Sequence, residues 1–354
     1  MSEKKLEITI NGRKIGRGHP PYIIAELSGN HNGDISRALA IIEAAYNSGA
    51  DAVKLQTYTA DTITIDHSGP GFVINGGLWD GQTLYDLYRE AHTPWDWHPK
   101  LFEKAHALGL TIFSSPFDLS AIEFLETLDV PAYKIASFEI VDLGLIDQAA
   151  ATGKPLIIST GMANLREISE AVGVAGNSRG GLILLHCTSG YPTPIGETNL
   201  QTIIDMEKRF GVPVGLSDHT RGNSVAIAAA AIGASVIEKH VTLARSDGGP
   251  DAEFSLEPTE FAQLCIDCRD AWEAIGHVNY QLEESEVNMV PLRRSLYVVK
   301  DVEAGEKLTQ NNIRSIRPGY GLAPSDWHLV KDSFAARDIK RGTPLSWDDI
   351  EDTS

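Results

Sequence analysis

Short apolar runs alternate with amphipathic helical segments along most of this chain. The runs are rich in β-branched residues and almost continuously apolar, which is typical of strands buried on both faces of a parallel sheet. Eight such units predict a (β/α)8 TIM barrel of the α/β class, because an open doubly wound sheet usually has fewer strands. The predicted strands are Tyr22–Leu27, Ala52–Thr57, Leu110–Pro116, Ala132–Ser137, Pro155–Thr160, Leu182–Cys187, Val212–Asp218 and Ser235–Val241.

One connection is much longer than the others. Residues 58–109 separate the second and third predicted strands and contain glycine clusters together with Trp79, Trp95 and Trp97. An insertion after a barrel strand lies on the carboxyl face, where active sites form. We therefore expect it either to cover a ligand or to pack as a small helical addition.

A second, smaller domain is predicted after the barrel. We assign residues 1–280 to the barrel, 281–290 to an acidic linker and 291–354 to the small domain. Within it, Asp301–Ile313 and Asp338–Ile350 echo each other, each predicting a strand, a glycine turn, and a Thr or Ser that caps a short helix. The repeat predicts a β-rich fold with little stability of its own.

Composition narrows the classes of function. The chain is 42% hydrophobic and 22% charged, as globular proteins are, and its net charge of −18 argues against nucleic acid or an anionic membrane as partner. No signal peptide or membrane span is recognisable, and only three cysteines occur, so a cytoplasmic location is expected. Cys265 and Cys268 share one helix face, which favours core packing over zinc or redox chemistry.

Polar residues collect where the predicted strands end. His219 follows the seventh strand and His240 belongs to the end of the eighth, and such ends face the active site of a parallel barrel. Two histidines there can hold a divalent metal and leave positions open for substrate. Histidines that only make hydrogen bonds are the alternative.

Two lysines, Lys54 and Lys134, lie within predicted strands. A strand lysine in a barrel can act as a Schiff-base nucleophile or bind phosphate. Serines at neighbouring strand ends favour phosphate, because hydroxyls and lysines together satisfy many phosphate oxygens; these are Ser137, Ser159 and Ser217. A lysine whose charge reaches the surface at a strand edge is the alternative.

Several other polar residues are candidates for the same site. Glu139 is a candidate for proton transfer, with a simple ion pair as the alternative. Glu26 and Gln56 can bind the hydroxyls of a sugar-like substrate or orient the lysines and metal ligands. Asp251 follows a flexible turn and can contact substrate or metal, or stabilise the turn.

Together these motifs resemble the sialic acid synthase family from about Tyr22 to the C terminus, and the small domain is similar to the antifreeze-like (SAF) module of that family. The motifs that carry the resemblance are Ile24-Ala25-Glu26, Asn30-His31-Asn32-Gly33, Gly49 to Thr57, Lys134-Ile135-Ala136-Ser137, Ser159-Thr160-Gly161-Met162, Leu185-His186-Cys187-Thr188, Tyr191-Pro192, Gly215 to Thr220 and Glu238-Lys239-His240.

The resemblance implies condensation of phosphoenolpyruvate with the open-chain aldehyde of an N-acylated hexosamine, which consumes water, releases phosphate and gives a nine-carbon 2-keto sugar acid. A divalent cation, Mn2+ or Mg2+, is implied at His219 and His240. The residues implied to bind phosphoenolpyruvate are Lys54, Lys134, Ser137, Ser159 and Ser217. Proton transfer is implied for Glu139, and contacts with the sugar or its oxygen for Glu26, Gln56, Tyr191 and Asp251.

Arg317 matches an arginine that the SAF module donates to the sugar across a domain-swapped homodimer. Ser189 stands where some family members carry an amide side chain, which leaves its role as a ligand open. Motifs mainly in the insertion are more similar to pseudaminic acid synthases than to N-acetylneuraminate synthases; they are Leu27 to Gly33, Gly69-Pro70-Gly71-Phe72, Leu78-Trp79, Thr83 to Tyr88 and His92-Thr93-Pro94-Trp95.

The expected sugar is therefore 2,4-diacetamido-2,4,6-trideoxy-L-altrose, with N-acetylneuraminate or legionaminate synthesis as alternatives. A Schiff-base pyruvate aldolase is the alternative from another enzyme class. A non-catalytic ice- or carbohydrate-binding module is disfavoured because threonine is sparse after Pro291.

Overall fold

Eight parallel strands close into a barrel in the first of two structural units. The computed structural model describes residues 6–351; the first unit ends at Gly276 and the second begins at His277. A short hairpin precedes the barrel, and the closing strand β10 pairs with β3. The strands of this unit are β1 (Ile8–Ile10), β2 (Arg13–Ile15), β3 (Tyr22–Glu26), β4 (Ala52–Thr57), β5 (Thr111–Pro116), β6 (Tyr133–Ile135), β7 (Leu156–Ser159), β8 (Leu182–Cys187), β9 (Val214–Asp218) and β10 (Val236–His240).

The predicted TIM barrel is confirmed, and the ends of the predicted strands differ from the observed ones by at most two residues. Side-chain caps begin several helices; Asp34, Asp118 and Asn164 accept hydrogen bonds from first-turn amides. No described helix is both long and apolar enough to cross a membrane. The helices are α1 (Ile35–Asn47), α2 (Ala60–Ile63), α3 (Leu84–Ala91), α4 (His98–Leu108), α5 (Leu119–Glu126), α6 (Leu143–Ala151), α7 (Leu165–Ala175), α8 (Gln201–Phe210), α9 (Ser224–Ala231) and α10 (Pro258–Ile275).

Alternate side chains of each barrel strand point to opposite faces of the sheet. The outward set packs with the helices in a large apolar layer that includes Val53, Ile158, Leu184 and Ile237. The inward set is apolar only towards the amino ends of the strands, where Ile24, Phe113, Ile157, Ile183 and Leu185 form a second cluster. Towards the carboxyl ends the inward positions are polar, so the barrel interior opens into a polar bowl there.

The hairpin of β1 and β2 closes the amino end of the barrel. Its side chains Ile10 and Ile15 belong to the inner apolar cluster. Asn11 and Gly12 connect its strands with φ values of 46° and 79°, the left-handed pair that a two-residue hairpin turn requires. The sequence analysis did not predict this hairpin.

The insertion between β4 and β5 holds α2, α3 and a 3-10 helix, Trp95–Trp97, before α4 returns to the barrel wall. Trp95 stacks on Phe124 of α5 with ring centroids 4.9 Å apart, and its indole donates to the Tyr58 carbonyl. The insertion therefore packs with helices of its own, one of the two predicted possibilities.

The second unit is a small β-rich fold around β11 (Ser295–Val298) and β12 (Ile313–Ile316), which pair antiparallel, with a short helix α11 (Trp327–Val330). The predicted linker overlaps a 3-10 helix, Glu284–Leu292. Of the two predicted capped helices, only the later one forms: Ser346 caps the 3-10 helix Trp347–Asp349.

The earlier copy of the repeat is a turn, which corrects that prediction. The Thr309 amide donates to Asn312 Oδ1 at 2.8 Å, just as the Ser346 amide donates to the Asp349 carboxylate at 2.9 Å. The two copies thus share a capping hydrogen bond although only one continues into a helical turn.

Candidate active site

Two lysines and two glutamates form a buried cluster of charge in the polar bowl. Lys54 and Lys134 point inward from β4 and β6, and their Nζ atoms lie 3.7 Å and 3.6 Å from one oxygen, Oε1 of Glu238. Lys54 Nζ also lies 2.8 Å from Glu26 Oε2. All four side chains are at most 4% exposed, so neither lysine reaches the surface. We call Glu26, Lys54, Lys134 and Glu238 the charge cluster.

Burial and mutual attraction set the ionisation of the charge cluster. Burial opposes charge on Glu238, but Lys134 and Lys54 lower the pKa of its carboxyl. Burial likewise opposes charge on Lys54, and Glu238 and Glu26 raise its pKa above the usual value. Burial lowers the pKa of Lys134 and raises that of Glu26. The two lysines thus depend on two carboxylates, which an arriving anion can supplement.

The bowl also holds hydroxyls and one backbone amide, and Lys54 Nζ donates to the Ser115 hydroxyl at 3.3 Å. Ser217 donates to Glu238 Oε1 at 3.0 Å, and Ser137 accepts the Gly161 amide at 3.1 Å. Ser159 is 1% exposed, and its hydroxyl has no hydrogen-bond partner among residues 6–351. A Cβ on Gly161 would collide with the Ser137 and Ser189 hydroxyls, so only glycine leaves this space open. Lysines, hydroxyls and a backbone that a ligand can approach at Gly161 together suit a phosphate group.

Two imidazoles lie beside this pocket. His219 and His240 have ring centroids 5.3 Å apart, and Nδ1 of His240 is buried without a hydrogen-bond partner among the described residues. Burial, then the neighbouring His219, lowers the pKa of His240 well below its usual value, so that ring is neutral and able to ligate. Asp251 Oδ2 lies 3.8 Å from His240 Nδ1.

The donor set fits a divalent cation held by two imidazoles with open positions for substrate or water. Nowhere in residues 6–351 are three or more His, Cys, Asp or Glu side chains arranged to hold a metal by themselves. Burial opposes protonation of His219, yet the Cys187 sulfur, 3.7 Å from its Nδ1, raises the pKa of that ring. A ligating imidazole is neutral, so protonation of His219 would oppose binding of a cation there.

The sugar-contact candidates lie around these imidazoles. Tyr191 packs on His219 with centroids 4.4 Å apart. Asp251 accepts a hydrogen bond from Ser28, and Gln56 donates to Glu26 at 2.9 Å and to Ser28 at 3.1 Å. Gln56 and Ser28 therefore link the charge cluster to the aspartate beside the histidines.

The insertion reaches this site through Trp79. Its ring lies 5.8 Å from that of Tyr191, and its indole N–H donates to the Pro250 carbonyl at 3.0 Å. Trp79 thus contacts the tyrosine that packs on His219 and the loop that carries Asp251.

Comparison with known proteins assigns the chain to a family. The NeuB family profile matches residues 41–280, and the SAF domain profile matches residues 293–351. The chain belongs to the NeuB family. This confirms the family and the two-domain architecture inferred from the sequence motifs.

Relatives of this NeuB-family chain include synthases of several sugar acids. It is 44% identical to the pseudaminic acid synthase of Helicobacter pylori, over 94% of this chain and 98% of that protein. Identity to the N,N'-diacetyllegionaminic acid synthase of Legionella pneumophila is 37%, over 97% and 98%. The crystal structure of an N-acetylneuraminic acid synthetase from Leptospira borgpetersenii, at 32% identity, covers 81% of this chain and 95% of its own, with a TM-score of 0.72.

Glu139 lies in the 3-10 helix Ser137–Glu139 that follows β6. Burial raises the pKa of its carboxyl to about 7, although Lys134 acts in the opposite direction. Oε2 of Glu139 has no hydrogen-bond partner within residues 6–351. A half-buried carboxyl poised near neutral pH can accept or donate a proton.

Arg317 belongs to the second unit of this NeuB-family chain, directly after β12, and is exposed. The other predicted site residues all lie in the barrel unit, in or after its strands. The contacts above join Glu26, Lys54, Gln56, Lys134, Tyr191, Ser217, His219, His240 and Asp251, whereas Ser137, Ser159 and Glu139 lie at the ends of β6 and β7. Arg317 stays a prediction for the sugar site.

Sequence reasoning missed Glu238 as a site residue in its own right, although it lies two residues before His240 on the same strand. The two-residue alternation of strands would have placed both in the bowl. It also missed Ser28, Gly161 and Cys187. Burial opposes ionisation of Cys187, but His219 lowers the pKa of that thiol to about 7.

Replacing Glu238 with glutamine should destabilise the fold, because two buried lysines then share only Glu26. We expect a loss of about 3–5 kcal/mol in unfolding free energy near neutral pH. The loss should shrink at alkaline pH, because removal of Glu238 lowers the pKa of both lysines in the folded variant relative to the unaltered chain, so the variant regains stability as their protons leave. Inorganic phosphate should restore part of it by supplying negative charge. Urea unfolding with and without phosphate measures each effect.

The matched control is Glu123→Gln on the exposed face of α5, which should change the unfolding free energy by less than about 0.5 kcal/mol. An E238Q variant as stable as wild type at every pH, with no response to phosphate, would refute this account of the charge cluster.

Proposed function

We propose that this chain is a pseudaminic acid synthase. It condenses phosphoenolpyruvate with 2,4-diacetamido-2,4,6-trideoxy-L-altrose to a nine-carbon 2-keto sugar acid and releases phosphate. The observation that carries the proposal is its 44% identity to the Helicobacter pylori enzyme over almost the whole of both chains. The buried lysines and hydroxyls of the bowl supply the anion site that this chemistry needs.

Phosphoenolpyruvate binds by its phosphate to Lys54, Lys134 and the hydroxyls of Ser137, Ser159 and Ser217. The lysines neutralise the phosphate from binding to release. Gly161 lets the ligand approach the backbone, since a side chain there would fill the space between Ser137 and Ser189.

The enol carbon of phosphoenolpyruvate forms the new bond to the aldehyde carbon of the sugar, and positive charge develops at the carbon that carries the phosphate. Water adds to that carbon and passes a proton to Glu139. The resulting tetrahedral centre breaks its C–O bond to phosphate, which leaves with the remaining hydroxyl proton, and the 2-keto group is formed. The proton on Glu139 passes to the former aldehyde oxygen, which becomes a hydroxyl. Lys54 and Lys134 stabilise the departing anion.

A divalent cation, Mn2+ or Mg2+, is held by His219 and His240 in this proposal. When bound, it supplies Lewis-acid polarisation of the sugar aldehyde. Asp251 and Tyr191, beside the two imidazoles, orient the open-chain sugar. Glu26 and Gln56 keep Lys54 in place through the contacts described above and border the sugar.

Trp79 of the insertion places an aromatic ring beside Tyr191. An aromatic ring there suits a 6-deoxy sugar, whose methyl group gains from contact with it. It is less suited to the hydroxylated tail of N-acetylmannosamine, the substrate of the neuraminate alternative.

The decisive experiment measures phosphate release with phosphoenolpyruvate, Mn2+ and each candidate sugar in turn, with and without a chelator. We expect release with 2,4-diacetamido-2,4,6-trideoxy-L-altrose and its loss on chelation. Release with N-acetylmannosamine instead would keep the chemistry and refute the sugar assignment.

Phosphate release at the same rate with and without the chelator would refute the role of His219 and His240 as ligands of the cation. Incubation with pyruvate and borohydride tests the Schiff-base aldolase, which requires covalent trapping on Lys54 or Lys134. Absence of trapping together with phosphate release excludes it.

Glu139→Gln should lower kcat by about 100- to 10,000-fold, because the proton acceptor for water is lost. In the unaltered enzyme kcat should rise with pH through about 7, since the carboxyl is neutral below its pKa and able to accept a proton above it. The variant should lose this rise while its KM for phosphoenolpyruvate changes little. A kcat that instead falls through that pH would assign Glu139 as an acid.

The chain works as a homodimer in this proposal, with the SAF domain of one chain bringing Arg317 to the sugar of the other. Support comes from apolar side chains exposed on consecutive loops after β5 to β8, a feature typical of protein contact surfaces. Each is at least half exposed: Leu119, Phe138, Val141, Met162, Leu165 and Ile195.

Analytical ultracentrifugation should give the mass of two chains, and the F138E/M162E variant should sediment as one. The control I266E changes an equally exposed apolar residue on α10 and should leave the dimer intact. A monomeric unaltered chain would refute the proposed homodimer.

A cytoplasmic location agrees with three unpaired cysteines, Cys187, Cys265 and Cys268.

A further inference from the structure

A buried ion pair lies directly behind the two histidines. Asp218 precedes His219 and Lys239 precedes His240, and the two residues are register partners across β9 and β10. Lys239 Nζ lies 2.7 Å from Asp218 Oδ2, and both side chains are no more than 1% exposed.

This pair faces the helices, away from the bowl. Its strand neighbours Ser217 and Glu238 point inward and hydrogen-bond there, so Asp218 and Lys239 point outward by strand alternation. Burial raises the pKa of the Cys268 thiol on α10 to about 12, and Asp218 is close enough to contribute. The ion pair therefore sits in the apolar layer between sheet and helices.

A gain in folding stability does not explain why the charged Asp218 and Lys239 lie in that apolar layer. Removing a carboxylate and an ammonium from water costs several kcal/mol per ion, and a well-packed apolar pair is often as stable or more so. The hydrogen bonds of the pair point to a different role. Lys239 donates to the Thr220 carbonyl as well as to Asp218, and Asp218 Oδ1 accepts the Thr220 amide at 2.9 Å.

These bonds hold residues 218 and 220, so His219 lies in a segment fixed on both sides. Lys239 ties the same segment to the strand that ends in His240. The separation of the two rings therefore depends on the ion pair, and affinity of a metal site depends on how firmly its ligands are held.

We infer that the Asp218–Lys239 ion pair is a positioning device that sets His219 and His240 at the spacing a divalent cation requires. The inference rests on the proposed function, which places the cation at these two imidazoles. Neither Asp218 nor Lys239 touches the cation or the substrates.

The test compares the D218L/K239M double variant with the unaltered full chain, using Mn2+ alone as probe. We expect the double variant to unfold at a somewhat lower temperature than the unaltered chain, because no unpaired charge remains but the buried Thr220 amide and carbonyl lose their partners. Its Kd for Mn2+, from titration followed by electron paramagnetic resonance, should rise about 10- to 100-fold. The affinity for phosphoenolpyruvate should stay unchanged because the lysines of the charge cluster are untouched.

Two further variants complete the test. K239M alone leaves Asp218 buried without a partner and should lower the unfolding temperature as well as weaken Mn2+ binding. K104M removes a lysine paired with Glu43 on the surface and should alter neither quantity. Should the double variant fail to fold, D218N gives the same comparison with nearly unchanged shape, and it should weaken Mn2+ binding by at least about tenfold.

A double variant, or D218N in its place, that binds Mn2+ as tightly as the unaltered chain overturns the inference and leaves the proposed function standing. A separate comparison tests the metal assignment itself. If the unaltered chain and the H219A variant bind Mn2+ equally weakly, these histidines do not hold the cation. In that case both the metal site and this inference fall.

Discussion

Charge balance in a dry barrel interior is the constraint on which this site depends. Lys54 and Lys134 approach within 3.7 Å and 3.6 Å of one Glu238 oxygen, where neither would stay protonated without a nearby carboxylate. Glu26 completes a set of two positive and two negative groups. In the proposed function a phosphate dianion entering this set meets lysines that are already held in place, so little reorganisation is needed when it binds. The affinity for the anion and the stability of the bowl would then come from the same four residues.

Much of the fold was predictable because parallel barrel strands leave an unmistakable pattern. Strands such as Leu182–Cys187 are covered on one face by helices and on the other by the barrel core, so they are apolar at nearly every position. The hairpin of β1 and β2 was missed because its strands have three residues each and little periodicity. Its Asn11-Gly12 turn is nevertheless a recognised hairpin signal. Propensity also could not tell which copy of the C-terminal repeat would form a helical turn.

The sequence was sufficient to predict which residues belong to the candidate site, but not which of them form ion pairs and hydrogen bonds with each other. Residues at strand ends were recognised because the carboxyl ends of parallel strands converge. The pairing of Lys54 with Glu26 and of Asp218 with Lys239 depends on the register between two neighbouring strands, which the pattern of one strand does not contain. Glu238 shows the difference: its position on β10 follows from alternation, but its place between two lysines requires knowing that β4, β6 and β10 surround one space.

The plugged amino end of the barrel has a kinetic consequence. Within residues 6–351, Ile10 and Ile15 pack into the inner cluster and fill the amino end, so a ligand of the bowl would enter from the carboxyl ends of the strands. Lys54 and Lys134 project from within their strands, whereas Tyr191 and Asp251 lie on loops beyond the strand ends and nearer that entrance. A ligand held at Lys54 and Lys134 must then enter and leave past Tyr191 and Asp251, so occupation of the outer positions slows exchange at the inner ones.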